Sequence, residues 1–184
     1  MDAVAPSDPA IAAMPGTRHR PVRDTRPLHS RMTAPSEIDM VARQTCLILQ
    51  SYRHWLGRDL LPDVPDADAV NALREAPFVV VSHDATVDPV LNYGNHAALS
   101  LWEMDWDHLI RTPSRLTAEP VARGERARLL AEVTLNGCIA SYSGVRISRS
   151  GRRFRIVEAT VWNLLNDSER PAGQAAMFDR WEFL

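Results

Sequence analysis

Residues 78–101 read FVVVSHDATVDPVLNYGNHAALSL, and the fold turns on this stretch. Phe78-Val79-Val80-Val81 is an unbroken apolar run, the pattern of a strand covered on both faces. His83-Asp84-Ala85-Thr86 is turn material, and Val90-Leu91-Asn92-Tyr93 resumes as a second short strand. Gly94-Asn95 then opens an Ala/Leu-rich helix that runs to Trp102. Strand, turn, strand and helix in so short a length argue against an all-helical chain and against a long-stranded barrel. They form the nucleus of an α+β domain. The polar residues His83, Asp84, Asp88, Asn92 and His96 match no rigid metal loop, and a strand sends alternate side chains to opposite faces, so no metal is assigned. Turn formation by the two aspartates and helix-entry hydrogen bonds by Asn92 and Asn95 account for them.

Toward the N-terminus, Asp66 caps a short helix that ends at Pro77, and before it lies an amphipathic helix over 37–56. Its stripe is Ile38, Val41, Thr45, Ile48, Leu49, Tyr52, Trp55 and Leu56, at three- and four-residue spacing. This helix either caps its own sheet or meets another subunit, and Ile48, Tyr52 and Trp55 are the side chains assigned to a dimer or partner surface. Residues 1–35 are proline-rich with a scatter of Arg and His and little apolar periodicity, and are expected to be a disordered tail. The domain proper is 36–184.

Toward the C-terminus the pattern places helices over 105–110 and 121–136, the second with Val121, Leu129, Leu130, Val133 and Leu135 as its apolar set. Three strands follow, Cys138–Ser148, Arg152–Leu164 and Ala172–Phe183, joined by tight turns and hence antiparallel. Strict alternation puts Phe154, Ile156, Glu158, Thr160, Trp162 and Leu164 on one shielded side of the middle strand. A carboxylate there needs a partner such as Arg146, which makes Glu158 the leading candidate for a perturbed group.

The 184 residues, 45% of them hydrophobic, suffice for one core, and a net charge of −2 gives no general attraction to nucleic acid or an anionic membrane. Arg146, Arg149, Arg152, Arg153 and Arg155 cluster about one hairpin and are read as a solvated sheet edge. Cys46 and Cys138, far apart, are read as reduced thiols. With no apolar run of membrane length and no leader-like start, the expected location is cytoplasmic. Gly-rich phosphate loops, the HExxH zinc motif and the GxSxG nucleophile elbow are all missing.

Several motifs in order resemble a known family. Asp88 to Ala98 is similar to the second strand and first helix of a PAS domain. Pro113-Ser114-Arg115-Leu116-Thr117-Ala118-Glu119-Pro120, Tyr142-Ser143-Gly144-Val145-Arg146-Ile147-Ser148, Gly151-Arg152-Arg153-Phe154-Arg155-Ile156, Val161-Trp162-Asn163-Leu164 and Gly173-Gln174-Ala175-Ala176 resemble the MEKHLA domain, a PAS-related family, of the free-standing bacterial type. The resemblance implies a PAS-like antiparallel sheet of five strands in spatial order 2-1-5-4-3, with helices on one face besides the N-terminal helix. It also implies a sensory or protein-interaction module that binds a small apolar or aromatic ligand and couples it to homodimer or partner contacts. The pocket, between sheet and helical excursion, is assigned Tyr93, Leu109, Leu116, Tyr142, Phe154, Glu158 and Trp162. Haem or flavin enters only by analogy: no residue matches an axial haem ligand, and the light-sensing cysteine motif is missing. DNA binding is not carried over from the plant homeodomain relatives, since neither homeodomain nor zipper is here. The alternative reading is a small enzyme acting on an apolar or aromatic acid, with Glu158 as base and Arg146 holding the carboxylate.

Overall fold

The computed structural model describes residues 37–184, so the tail expected over residues 1–35 lies outside the described residues. Helix α1 (Glu37–Leu56) carries Glu37 and Asp39 in its first turn and Arg53 and His54 in its last, each sign matched to the helix dipole. A short turn at Asp66–Asp68 leads into α2 (Ala69–Glu75). Then come β1 (Val79–His83), β2 (Leu91–Gly94), α3 (His96–Trp102), α4 (Trp106–Leu109) and, after two 3-10 turns, α5 (Arg123–Asn136). The chain finishes with β3 (Cys138–Ile147), β4 (Arg153–Leu165), β5 (Pro171–Phe178) and β6 (Arg180–Phe183).

The sheet is antiparallel in the order β2-β1-β5-β4-β3. β5 sits at its centre, with Val79 opposite Phe178 and His83 opposite Gln174 on one side and Thr160 opposite Met177 on the other. β6 continues along the same edge of β4, pairing Phe154 with Phe183 and Val157 with Arg180. The last strand is therefore broken at Asp179. The break lies across from Glu158, which has a φ of +53°.

That one residue changes the faces of β4. A bulge inserts a step into the alternation, so side chains beyond it swap sides. Phe154, Ile156, Ala159 and Val161 point to the face covered by α3 and α5. Trp162 and Leu164 point to the opposite face, where α1 lies. The single shielded side expected for Phe154 through Leu164 is thus two half-sides.

α1 caps the sheet with its own stripe. Ile48 and Tyr52 are buried, and the Tyr52 ring meets Trp162 edge-on with centroids 5.0 Å apart. Trp55 donates from Nε1 to the Asn163 carbonyl at 2.8 Å. Burying side chains of this size contributes about 1.5–3 kcal/mol each. Of the three residues assigned to a dimer or partner surface, Ile48 and Tyr52 are buried within the chain and Trp55 is partly buried there.

Asn95 locks the opening motif. Its Oδ1 accepts from Val80 N at 3.0 Å and Ala98 N at 3.1 Å, and its Nδ2 donates to the Phe78 carbonyl at 2.7 Å. One fully buried amide thereby caps α3 and fixes the entry to β1. Asn92 does something other than helix entry: its Oδ1 accepts from the Ser82 hydroxyl at 2.7 Å, tying β2 to β1. Asp84 behaves as turn chemistry requires, accepting from the backbone N–H of Thr86 and of Val90, both at 3.1 Å. At Gly173, φ is +134° and a Cβ would fall on the His83 carbonyl oxygen, so only glycine lets β5 approach β1 there.

Candidate ligand cavity

Between the sheet and α5 lies a cavity of about 60 Å³. Its apolar wall includes Val81 and Leu91 from the first hairpin, Trp102 from α3, Leu129 from α5, Ile156 from β4 and Phe178 from β5. His83, Arg126, Tyr142, Arg146 and Gln174 bring polar atoms to the same space. About 10–15 Å³ of such space holds one water, so the cavity takes roughly four to six water-sized groups. As it stands this space is smaller than a tricyclic flavin ring or a haem.

The cover of this cavity is lightly attached. α5 buries only Leu129 and Val133 among its fourteen residues, and its expected apolar members Val121 and Leu135 are 88% and 86% exposed. Its C-terminal half is instead tied by amides: Asn163 Nδ2 donates to the Val133 carbonyl at 2.9 Å, and Gln174 Nε2 donates to the Leu130 carbonyl at 3.0 Å.

The guanidinium of Arg146 is buried. It donates to the carbonyl of Val145 at 2.8 Å and to the Tyr142 hydroxyl at 3.1 Å, and it stands 5.4 Å from the centre of the Tyr142 ring. The Tyr142 side chain folds across Gly144, where any Cβ would collide with its hydroxyl. Arg126, half-buried on α5, has its side chain pushed down to about 10 by burial first and by the neighbouring Arg146 charge second. Neither arginine has a carboxylate partner among the described residues. His83 is buried at the end of β1 and shares a hydrogen bond of 2.8 Å between Nδ1 and the Asp84 carbonyl, while its Nε2 lacks a partner among the described residues. Burial holds its imidazole below the ordinary value. The indole N–H of Trp102 is likewise unpartnered there.

The residues named from the sequence are distributed as follows. Tyr142 and Arg146 line the cavity. Phe154 lies on the same face, packed on Trp102 with centroids 5.4 Å apart, without lining the space itself. Tyr93 and Trp162 belong to the core beneath α1. Burial there pushes the Tyr93 phenol up to about 12. Leu109 is buried against Gly94, and Leu116 is 44% exposed in a surface groove. Glu158 is exposed and pairs with Arg180. It neither faces the cavity nor meets Arg146, because the bulge turns it outward, so the acid–base pair drawn from the sequence is not assembled.

The hairpin arginines also separate. Arg152 stacks on Phe183 at 3.4 Å and Arg153 pairs with Glu119 at 3.1 Å, while Arg146 goes inside. His83, read from the sequence as turn material, ends β1 and lines the cavity with Arg126; neither is among the expected pocket residues, although both carry a signal. Val79, Val81 and His83 share one strand face, and Arg126, Leu129, Leu130 and Val133 form one helical stripe. His96 pairs with Glu75 at 3.0 Å, away from the cavity. No three His, Cys, Asp or Glu side chains gather as a metal site among the described residues. No described helix is long and apolar enough to cross a membrane.

A sheet in this order, with α3 to α5 inserted between its second and third strands, is a PAS-like fold. The chain superposes on the PAS domain of a protein from Colwellia psychrerythraea with a TM-score of 0.54 at 12% identity, covering 64% of this chain and 95% of that one. A light-oxygen-voltage domain solved with a flavin analogue matches at a TM-score of 0.50 and 14% identity, over 62% of this chain and 83% of that domain. An RNA-binding light-oxygen-voltage receptor matches at 0.51 and 17% identity, over 66% of this chain and 35% of the receptor. The MEKHLA domain model matches residues 42–183, and the chain belongs to that family. It is 27% identical over 139 residues to Homeobox-leucine zipper protein ATHB-8 of Arabidopsis thaliana, a match that spans 74% of this chain and 17% of that protein.

Proposed function

We propose that this MEKHLA domain is a sensory module that takes a small, largely apolar ligand into the cavity beneath α5 and reports it through contacts with another protein, a second copy of the chain included. The observation that carries the reading is the cavity itself, apolar-walled and covered by a helix with only two buried side chains. A cover with so little apolar burial shifts at low cost, so a molecule that adds contacts beneath it changes the outer surface of α5. Ile48 and Tyr52 of α1 are already buried, so a contact with a second copy would use other side chains.

Native mass spectrometry of the purified chain, followed by denaturing extraction and an absorbance scan, tests this. A retained small molecule, or a change in association state on adding one, is the expected result. A chain that retains nothing, and whose melting midpoint and association state no small molecule changes, would overturn it.

A further inference from the structure

The cavity has a polarity that the apolar reading leaves unused. Two arginines reach it from different elements, Arg126 from α5 and Arg146 from β3, and neither meets an acid among the described residues. Arg146 satisfies only part of its donor set, with one backbone carbonyl and the Tyr142 hydroxyl. Arg126 makes no hydrogen bond among the described residues. A buried cation without a counter-charge is costly, and a second one beside it adds repulsion. Salt bridges elsewhere show that the chain has acids to spare: Asp88, Glu119 and Glu158 all pair with exposed arginines. The two inner guanidinium groups remain unmatched.

We infer that the ligand is a small monocarboxylate with a short aliphatic tail, its carboxylate held between Arg126 and Arg146 and its tail against Val81, Ile156 and Phe178. This rests on the sensory reading above and narrows it. A carboxylate matches the planar guanidinium fork, and its two oxygens serve both groups while neutralising one of the two charges. The volume limits the tail, since a cavity of about 60 Å³ takes roughly four to six water-sized groups. A dicarboxylate would bury a second negative charge against the apolar wall, which disfavours it.

The test is calorimetric titration and thermal melting of the full chain at fixed ionic strength with butanoate, its neutral amide butanamide, and inorganic phosphate. Butanoate is expected to bind and raise the melting midpoint. Butanamide is expected to bind at least about thirty-fold more weakly, the scale of losing one side of a buried charge pair. Equal binding of the acid and the amide overturns the carboxylate assignment and leaves the cavity reading standing. Phosphate binding as tightly as butanoate overturns the role of the tail. Binding of neither acid nor amide overturns the assignment, while the cavity reading stands or falls on the native mass spectrometry above.

Variants give a second readout that does not depend on guessing the tail. Arg146→Met and Arg126→Met keep most of the packing and remove one charge each. Each is expected to abolish the butanoate shift and to leave the midpoint of the ligand-free chain unchanged or higher, because an unmatched cation has gone. A lower ligand-free midpoint in both variants would mark the arginines as structural and overturn the assignment. Gly144→Ala, which pushes the Tyr142 hydroxyl away from Arg146, is expected to weaken butanoate binding with little change in midpoint. Unaltered binding in that variant counts against a clamp organised by Tyr142.

Discussion

Asn95 shows how much one side chain settles. It has no exposed surface and serves β1, α3 and the segment before β1 at once. Asn95→Ala leaves the Val80 N–H and the Phe78 carbonyl buried without partners, and is expected to cost about 2–3 kcal/mol in urea unfolding. His83 gives a pH dependence. Its folded-state value lies below the ordinary 6.5 because of burial, with Arg126 adding to the lowering and Asp84 opposing it. Below about pH 6.5 the unfolded chain takes up a proton that the folded chain refuses. Stability is therefore full above that pH and declines as pH falls through it, by at most about 1.4 kcal/mol per pH unit for this group. Melting curves between pH 7 and pH 5 should fall less steeply for His83→Asn than for the natural chain. Equal slopes would show that His83 contributes nothing.

Among the elements, helices and strands were legible because their signals are local. Asn95 and Asp105 act as side-chain caps at the helix starts, Gly137 follows the end of α5, and the valine run is buried as a two-face-covered strand should be. The face assignment of β4 was not legible, since alternation assumes that no residue is inserted. Glu158 at a φ of +53° breaks that assumption, and nothing in its side-chain chemistry announces it. That assumption is what puts Trp162 among the expected pocket residues, whereas His83 and Arg126 line the cavity from β1 and α5, which the bulge does not touch. A bulge residue at positive φ predicts a specific pattern of substitutions. Glu158→Gly relieves about 1 kcal/mol of backbone strain against the loss of an exposed ion pair that contributes about 0–1 kcal/mol, so stability should stay level or rise slightly. Glu158→Val, branched at Cβ, should lose about 1–2 kcal/mol. Urea midpoints of the two variants settle the point, and a stable Glu158→Val chain would contradict it.

Across the whole molecule, the decisive contact is between β1 and β5, about ninety residues apart in the chain. Gly173 permits it by lying against the His83 carbonyl. Gly173→Ala should therefore cost about 3 kcal/mol or more and broaden the unfolding transition, as judged by urea titration with tryptophan fluorescence. A midpoint close to that of the natural chain would mean that β5 shifts to accommodate the methyl group. The strand order itself was legible from the family motifs taken together. The use of both sheet faces by helices was left open, because an amphipathic stripe reads the same whether it covers its own sheet or a neighbour.

The same topology has a consequence during synthesis. At roughly 5–20 residues per second, β1 leaves the ribosome about 5–20 s before β5 follows it. For that interval Val79, Val80 and Val81 stand without the partner that later seals them, an apolar strand edge open to any neighbouring nascent chain. The early emergence of α1, α2 and the β2 hairpin offers provisional cover, and the yield of folded protein depends on how well that cover lasts until residues 171–178 arrive.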